Sequence, residues 1–162
     1  MVLMMQKSTS LIDEIAADLN GLEQMKALLR SPKKVGIFES LKLEFAEVAK
    51  GRVVVAGIPD AHVYNPIGTV HGGYAATMLD SVCGCATHTM LQANQGYTTL
   101  ELKVVYHRPI TRETGQVRAI GEVMSAGRRV AFTEARIVDS QDRLLASATS
   151  TLLIMEKPTT SK

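Results

Sequence analysis

Several features are scarce in this chain of 162 residues, and each scarcity argues against a class of protein. Two cysteines, Cys83 and Cys85, cannot build a disulfide framework. The longest apolar runs fall far short of the roughly 20 residues that cross a bilayer, so no membrane span is expected. Charge of one sign is not in excess, because 18 Lys plus Arg against 16 Asp plus Glu leave a net charge of +2. Bulk nucleic-acid binding is therefore not expected, since it calls for a clustered basic face.

The start of the chain also has little of an export signal. Met1 to Met5 is apolar but lacks the basic start and the long apolar stretch of a signal peptide. Hydrophobic residues make up 46% and charged residues 21%, which is ordinary globular composition. We therefore expect one soluble cytoplasmic domain with a small appendage, and a flexible tail over residues 157–162.

Residues 1–35 are predicted to form an N-terminal helical segment. Ser10 and Asp13 have the pattern of a capping box, and apolar residues then recur at helical spacing. A second helical stretch begins at Leu22 and is stopped by Pro32. We interpret the segment as a helical cap that covers an edge or a groove. A lid or a small DNA-binding unit is the alternative, and the scarcity of basic side chains disfavours the second.

Residues 36–156 have the pattern of an α+β domain. Two strand-like runs come first, around Leu43 and over residues 52–58, and a helical pattern with one apolar stripe follows from Gly73 to about Gln92. Strands joined by short turns pair antiparallel, so we expect an antiparallel sheet wrapped around one long helix. The four later strands are predicted at 98–107, 115–124, 129–138 and 144–155. In the first of these, one face should carry Leu100, Leu102, Val104 and Tyr106.

The segment before the long helix has the character of a ligand site. Gly68, Gly72 and Gly73 let the backbone approach a ligand closely. Free N–H groups at the helix start, with the positive end of the helix dipole, suit an anion or a developing oxyanion. Asp80 follows two turns later, on a stripe of small residues, and no other charged residue lies between Gly73 and Asn94. It is either a catalytic carboxylate or part of an ordinary polar helix face.

The polar neighbours of this segment have structural interpretations too. His71 could simply cap the helix, and Asn65 could shape a turn before Pro66. Cys83 and Cys85 lie two residues apart on the helix and cannot face one site together. We interpret both cysteines as small core residues and expect no metal site.

Together these residues resemble the hotdog-fold thioesterases of the phenylacetic-acid-degradation (PaaI-like) group. The resemblance covers roughly residues 36–155, and the later motifs at 106–109 and 127–129 also fit. It rests on residues in the family's order and spacing: Asn65, Gly68, His71, Gly72, Gly73 and Asp80. It implies a hotdog fold and hydrolysis of an acyl-CoA thioester to a carboxylic acid and free coenzyme A, without a metal or redox cofactor. It also implies a homodimer with paired sheets and sites at the subunit interface, and often a homotetramer.

The resemblance assigns a role to each matched residue. Asp80 would activate water as a general base or attack the thioester carbonyl itself. The Gly72 N–H would donate to the carbonyl oxygen, and Asn65 would hold the water or the carbonyl. His71 would orient this region, and Thr99 would assist where relatives have a hydroxyl. Asp80 would come from one subunit, with Asn65 and Gly72 from the other.

Substrate-binding residues are expected on both sides of this site. The phosphates of coenzyme A need cations, and Arg108, Arg128 and Arg129 at strand ends are the candidates, although each could be a solvated turn residue. The acyl pocket should be apolar and include residues of the N-terminal cap. Its other candidates lie near the helix start: Val70, Gly73, Tyr74 and Met78.

Two other functions are compatible with the same fold. A non-catalytic acyl-CoA-binding or sensing module would keep the pocket and the arginines but would not need Asp80. A hotdog hydratase or dehydratase would pair a catalytic histidine with a carboxylate in a different motif, which His71 and Asp80 fit poorly.

Overall fold

Six antiparallel strands wrap a single long helix, as the sequence predicts. The computed structural model describes residues 10–34 and 36–157, so the predictions for Met1 to Met5 and for residues 158–162 lie outside the described residues. The helices are α1 (Leu11–Ala16), α2 (Gly21–Arg30), α3 (Gly36–Leu41) and α4 (Gly72–His88). The strands are β1 (Leu43–Ala49), β2 (Arg52–Gly57), β3 (Gln95–Tyr106), β4 (Val117–Ala126), β5 (Val130–Val138) and β6 (Leu144–Glu156).

Helix α4 lies on one face of the sheet, whose strand order is β1-β2-β4-β5-β6-β3. It contacts every strand from β2 to β6. The predicted apolar stripe is buried, and Met78, Leu79 and Val82 have no exposed surface. Gly121 on β4 lets the helix approach closely, because a Cβ there would lie 2.4 Å from the Val82 carbonyl oxygen. Because this stripe is buried against the sheet, Asp80, which lies outside the stripe, is held at the margin of the buried face of α4.

The end of α4 and the middle of β3 differ from the sequence prediction. Helix α4 ends at His88 instead of near Gln92, because the Thr89 hydroxyl accepts from the Gly51 N–H and ties the helix end to the β1–β2 turn. In β3, a bulge between Thr99 and Glu101 removes Leu100 from the inward face, so Leu100 is 58% exposed. The bulge places Thr99 in phase with the inward-facing residues that follow it.

The N-terminal segment covers one edge of the sheet, which confirms its interpretation as a cap. Ser10 and Asn20 cap α1 and α2, each accepting from the backbone N–H three residues on. Helix α2 packs on the edge strand β1 and on the C-terminal end of α4. The following helix α3 is absent from the sequence prediction. In the described residues, the other edge strand, β3, has a second strand on one side alone. None of the described helices has the length and apolar character needed to cross a membrane.

Candidate active site

The start of α4 presents a backbone donor held in place by side chains. His71 caps the helix, and its Nδ1 accepts from the Gly73 N–H at 2.8 Å. Since Nδ1 is the acceptor, a neutral His71 ring carries its proton on Nε2. Tyr106 on β3 donates its hydroxyl proton to the Gly72 carbonyl at 2.9 Å. The Gly72 N–H has no partner in the part of the chain that the structure describes, so it is available to an oxyanion.

The loop before α4 is shaped by Asn65. Its Oδ1 accepts from the N–H groups of Ile67 and Thr69, each at 3.1 Å, and its Nδ2 donates to Thr69 Oγ1 at 2.8 Å. Gly68 turns the loop with a φ of 86°, which favours glycine. These bonds are the turn chemistry that the sequence allowed, and they leave one of the two Nδ2 hydrogens for another acceptor.

The structure brings Asp80 and Thr99 together. The Thr99 hydroxyl donates to Asp80 Oδ1 at 3.0 Å, across the gap between α4 and β3. Asp80 is partly buried and is the only acidic residue of α4. Oδ1 is engaged by this bond, and Oδ2 has no hydrogen-bond partner among the residues that the structure describes.

Asp80 cannot reach the Gly72 N–H of its own chain. Eight residues of α-helix separate the two, a rise of about 12 Å. A thioester carbonyl spans far less than this length. Asp80 and the Gly72 N–H can therefore act on the same thioester carbonyl only if they come from two copies of the chain.

Two clefts meet at the start of α4 and share His71 and Gly73. The strand-side cleft, of about 480 Å³, lies toward β3 and β6 and includes Val70, Tyr106, Arg108, Pro109 and Ile110. The α3 cleft, of about 540 Å³, includes Ile37, Ser40, Leu41, Tyr74 and Thr77. Volumes of this size are typical of small-molecule sites.

The predicted apolar residues are divided between clefts and core. Val70 lines the strand-side cleft, and Tyr74 lines the α3 cleft. The Tyr74 hydroxyl packs against Gly57 and has no hydrogen-bond partner among the described residues, and burial raises its pKa to about 12. Met78 is completely buried in the core. The cap helices α1 and α2 contribute no residue to either cleft, and α3 takes the place that we expected for them.

The three candidate arginines lie at opposite ends of the sheet. Arg108 borders the strand-side cleft, and one of its guanidinium nitrogens donates to the Leu144 carbonyl at 2.7 Å. Arg128 and Arg129 are exposed in the β4–β5 turn. This turn lies at the Gln95 end of β3, whereas Arg108 follows the Tyr106 end.

Neither cysteine can act as a thiolate nucleophile near neutral pH. Burial raises the pKa of Cys83 to about 11 and that of Cys85 to about 12, and the nearby Asp80 carboxylate adds to both shifts. Thiols with such values stay protonated. Asp80 is thus the reactive side chain that this face of α4 offers.

The comparison with known families agrees with this geometry. The family model of the thioesterase superfamily matches residues 67–146, which include the end of the loop before α4 and all of α4, β3, β4 and β5. The match covers about half of the chain and relates it to the thioesterase superfamily. Its antiparallel sheet around α4 is the hotdog fold of that superfamily.

Three relatives illustrate how far the likeness extends. A thioesterase from Haemophilus influenzae has the same fold, with a TM-score of 0.73 and 18% identity over 87% of this chain and 94% of that one. A variant of the phenylacetic acid degradation protein PaaI from Thermus thermophilus has a TM-score of 0.67 and 28% identity over 74% and 98%. The 1,4-dihydroxy-2-naphthoyl-CoA hydrolase of Listeria monocytogenes is 23% identical over 76% of this chain and 98% of its own.

Proposed function

We propose that the protein hydrolyses acyl-CoA thioesters to a carboxylic acid and free coenzyme A. The proposal rests on the hydrogen-bonded pair of Asp80 on α4 and Thr99 on β3, together with the Gly72 N–H at the start of α4, which has no partner among the described residues. The superfamily supports a hydrolytic reaction, and the name of the Listeria relative supports a CoA thioester as substrate.

The chemistry asks each group for one task. The thioester carbonyl oxygen accepts from the Gly72 N–H, which stabilises the negative charge that develops there. The Asp80 carboxylate removes a proton from water as the water attacks, or attacks the carbonyl carbon itself. The tetrahedral intermediate then expels the coenzyme A thiolate, a leaving group that needs little protonation. Attack by water gives the carboxylic acid directly, whereas attack by Asp80 leaves an acyl–Asp80 anhydride, which water then hydrolyses to the acid and the free carboxylate. Thr99 holds the carboxylate, and His71 and Asn65 are positioning residues for the helix start and its loop.

The proposed site requires two chains that pair along β3. Asp80 lies beside Thr99 on β3, and Gly72 lies beside Tyr106. An antiparallel pairing centred between Leu102 and Lys103 would set Thr99 of one chain opposite Tyr106 of the next. The same symmetry would bring Asp80 toward the neighbouring Gly72, and one chain's β4–β5 turn, with Arg128 and Arg129, toward the other's strand-side cleft.

The length of β3, its unpaired edge and its exposed apolar side chains support this pairing. As an edge strand of 12 residues it leaves a long row of backbone groups on one side, and such edges are otherwise shortened or covered in stable proteins. Large apolar side chains on it are exposed, namely Leu100, Val105 and Tyr106. The opposite edge strand, β1, is already covered by α2. We propose a homodimer on this edge, and a homotetramer as a pair of such dimers in the cytoplasm.

Thiol release from a panel of acyl-CoAs tests the function. Asp80→Asn keeps the size of the side chain and its bond to Thr99 but removes the base, so kcat should fall by about 10²–10⁴-fold with little change in acyl-CoA affinity. Asp18→Asn, at an exposed carboxylate of the N-terminal segment, is the control and should match the wild type.

The other outcomes of this assay identify the competing functions. Acyl-CoA binding without turnover by the wild type would indicate a binding module. Hydration of an enoyl-CoA without thiol release would indicate a hydratase. An Asp80→Asn enzyme as active as the wild type would exclude the mechanism.

A further inference from the structure

Helix α3 presents one face to the α3 cleft. Ile37, Ser40 and Leu41 all line the cleft, and their spacing of three and four residues places them on one side of the helix. Phe38 points elsewhere: it is 4% exposed and packs on Phe45 with ring centroids 4.7 Å apart. One buried aromatic side chain therefore anchors the short helix while its other apolar side chains border the cleft.

Of the α3 residues that line the cleft, Ile37 is the large apolar one whose side chain is exposed. It is 52% exposed, so much of its side chain is free to contact a ligand in the cleft. Helix α4 lines the cleft with Gly73, Tyr74 and Thr77, and the segment before the helix completes the lining with His62, Val63, Tyr64 and His71. Gly73 and Thr77, on the same side of α4 as Asp80, are small, so beside them the width of the cleft depends on the side chains of the other elements, Ile37 among them.

We infer that the α3 cleft receives the acyl group of the acyl-CoA and that Ile37 sets the size of acyl group that fits. This inference rests on the proposed function. A carbonyl held at the Gly72 N–H has one cleft on each side, because both clefts share His71 and Gly73. The strand-side cleft carries Arg108, which suits the phosphates of coenzyme A. The described lining of the α3 cleft holds no Lys, Arg, Asp or Glu, and this leaves that cleft to the uncharged acyl group.

Paired substitutions at Ile37 test the inference through selectivity. The panel comprises straight-chain acyl-CoAs from acetyl to decanoyl, together with benzoyl-CoA. Ile37→Phe narrows the cleft and should lower kcat/KM for the bulkiest wild-type substrates by about tenfold or more, with acetyl-CoA nearly unchanged. Ile37→Ala widens the cleft and should shift the preference toward bulkier acyl groups. Glu39→Ala, exposed on α3 but outside the cleft lining, is the matched control and should keep the wild-type profile.

Equilibrium binding separates this inference from the proposed function. Non-hydrolysable acyl-CoA thioethers are titrated into Asp80→Asn and into Asp80→Asn combined with each Ile37 variant. Binding selectivity that follows Ile37, without hydrolysis by the wild type, would keep the inference and overturn the thioesterase. Hydrolysis with the same acyl profile in the wild type, both Ile37 variants and Glu39→Ala would do the opposite. Failure of every thioether to bind would overturn both.

Discussion

At the scale of single residues, the proposed chemistry depends on one backbone N–H, and proline can delete it with little disturbance. Gly72 is the first residue of α4, a position where proline is tolerated because the N–H has no partner in the helix. His71 has φ −62° and ψ 135°, the extended conformation that a following proline needs. We therefore expect Gly72→Pro to lower kcat for acyl-CoA hydrolysis by about 10²–10³-fold. Steady-state kinetics and thermal unfolding measured side by side should show lost activity in a folded protein.

Alanine at the same position is the control. Gly72→Ala keeps the N–H, and its added Cβ would lie 3.1 Å from the hydroxyl of Tyr106, an exposed side chain that can move. It should retain most of the activity. If Gly72→Pro and Gly72→Ala lower kcat equally, the loss comes from the added side-chain atoms at position 72 and not from the missing N–H.

The residues of the site differ in how far sequence could predict them. Asp80 was identifiable because a lone acid on an otherwise uncharged helix is unusual, and the family resemblance supplied Thr99. Tyr106, which holds the Gly72 carbonyl, belongs to a motif of the resemblance but had no assigned role, because a tyrosine on an alternating strand gives no sign of what its hydroxyl reaches. Asn65 was open to two interpretations, since only coordinates reveal that its Oδ1 already serves two backbone donors.

At the scale of elements, periodicity predicted the order of strands and the long helix, since burial on one face imposes a period on the sequence. It failed where a local bond overrides the period. The β3 bulge moves Leu100 out of phase next to Thr99, whose hydroxyl donates to Asp80. Helix α3, at six residues, is too short for a period to emerge. The α3 side of the α3 cleft could therefore not be predicted from the sequence.

The contact between α2 and the end of α4 should make stability depend on pH. His88 Nε2 lies 2.7 Å from Gln24 Oε1, and Gln24 Nε2 donates to the Ala16 carbonyl, so His88 Nε2 is the donor to Gln24. Burial lowers the pKa of His88 to about 4 from its ordinary 6.5, and the nearby positive charge of Lys157 contributes. Below about pH 6.5 the unfolded chain binds a proton that the folded chain does not, so stability is complete above this pH and declines as the pH falls toward 4.

Urea unfolding at about pH 7.5 and about pH 5 measures this effect. The wild type should lose on the order of 2 kcal/mol of unfolding free energy from His88 between these conditions. His88→Gln offers an amide donor without a titrating group, so its loss should be smaller by a similar amount. Equal losses in both proteins would place the pH dependence in other groups.

At the scale of the whole molecule, a site divided between two chains predicts complementation of inactive variants. Asp80→Asn lacks the carboxylate in every site, and Gly72→Pro lacks the oxyanion donor in every site. In a dimer with one subunit of each kind, one shared site joins two defects and the other joins the intact Asp80 with the intact Gly72. Random reassembly of equal amounts should therefore restore about a quarter of the wild-type kcat, since about half of the dimers are mixed and each has one good site of two.

The arithmetic distinguishes this arrangement from a site built within one chain. If Asp80 acted with Gly72 of its own subunit, across the about 12 Å of helix between them, no mixture could contain a complete site and the activity would stay at the level of the parents. The variants are unfolded together in urea, refolded by dilution and assayed for thiol release, with each variant refolded alone as the reference. Recovery needs the β3 edges to meet, so Val105→Lys in both chains should abolish it, because the proposed register sets position 105, where Val105 is 43% exposed, opposite the apolar Leu100 of the other chain and would bury the ammonium group there. Recovery that persists with lysine at position 105 would move the interface away from β3, and with it the carboxylate away from its donor.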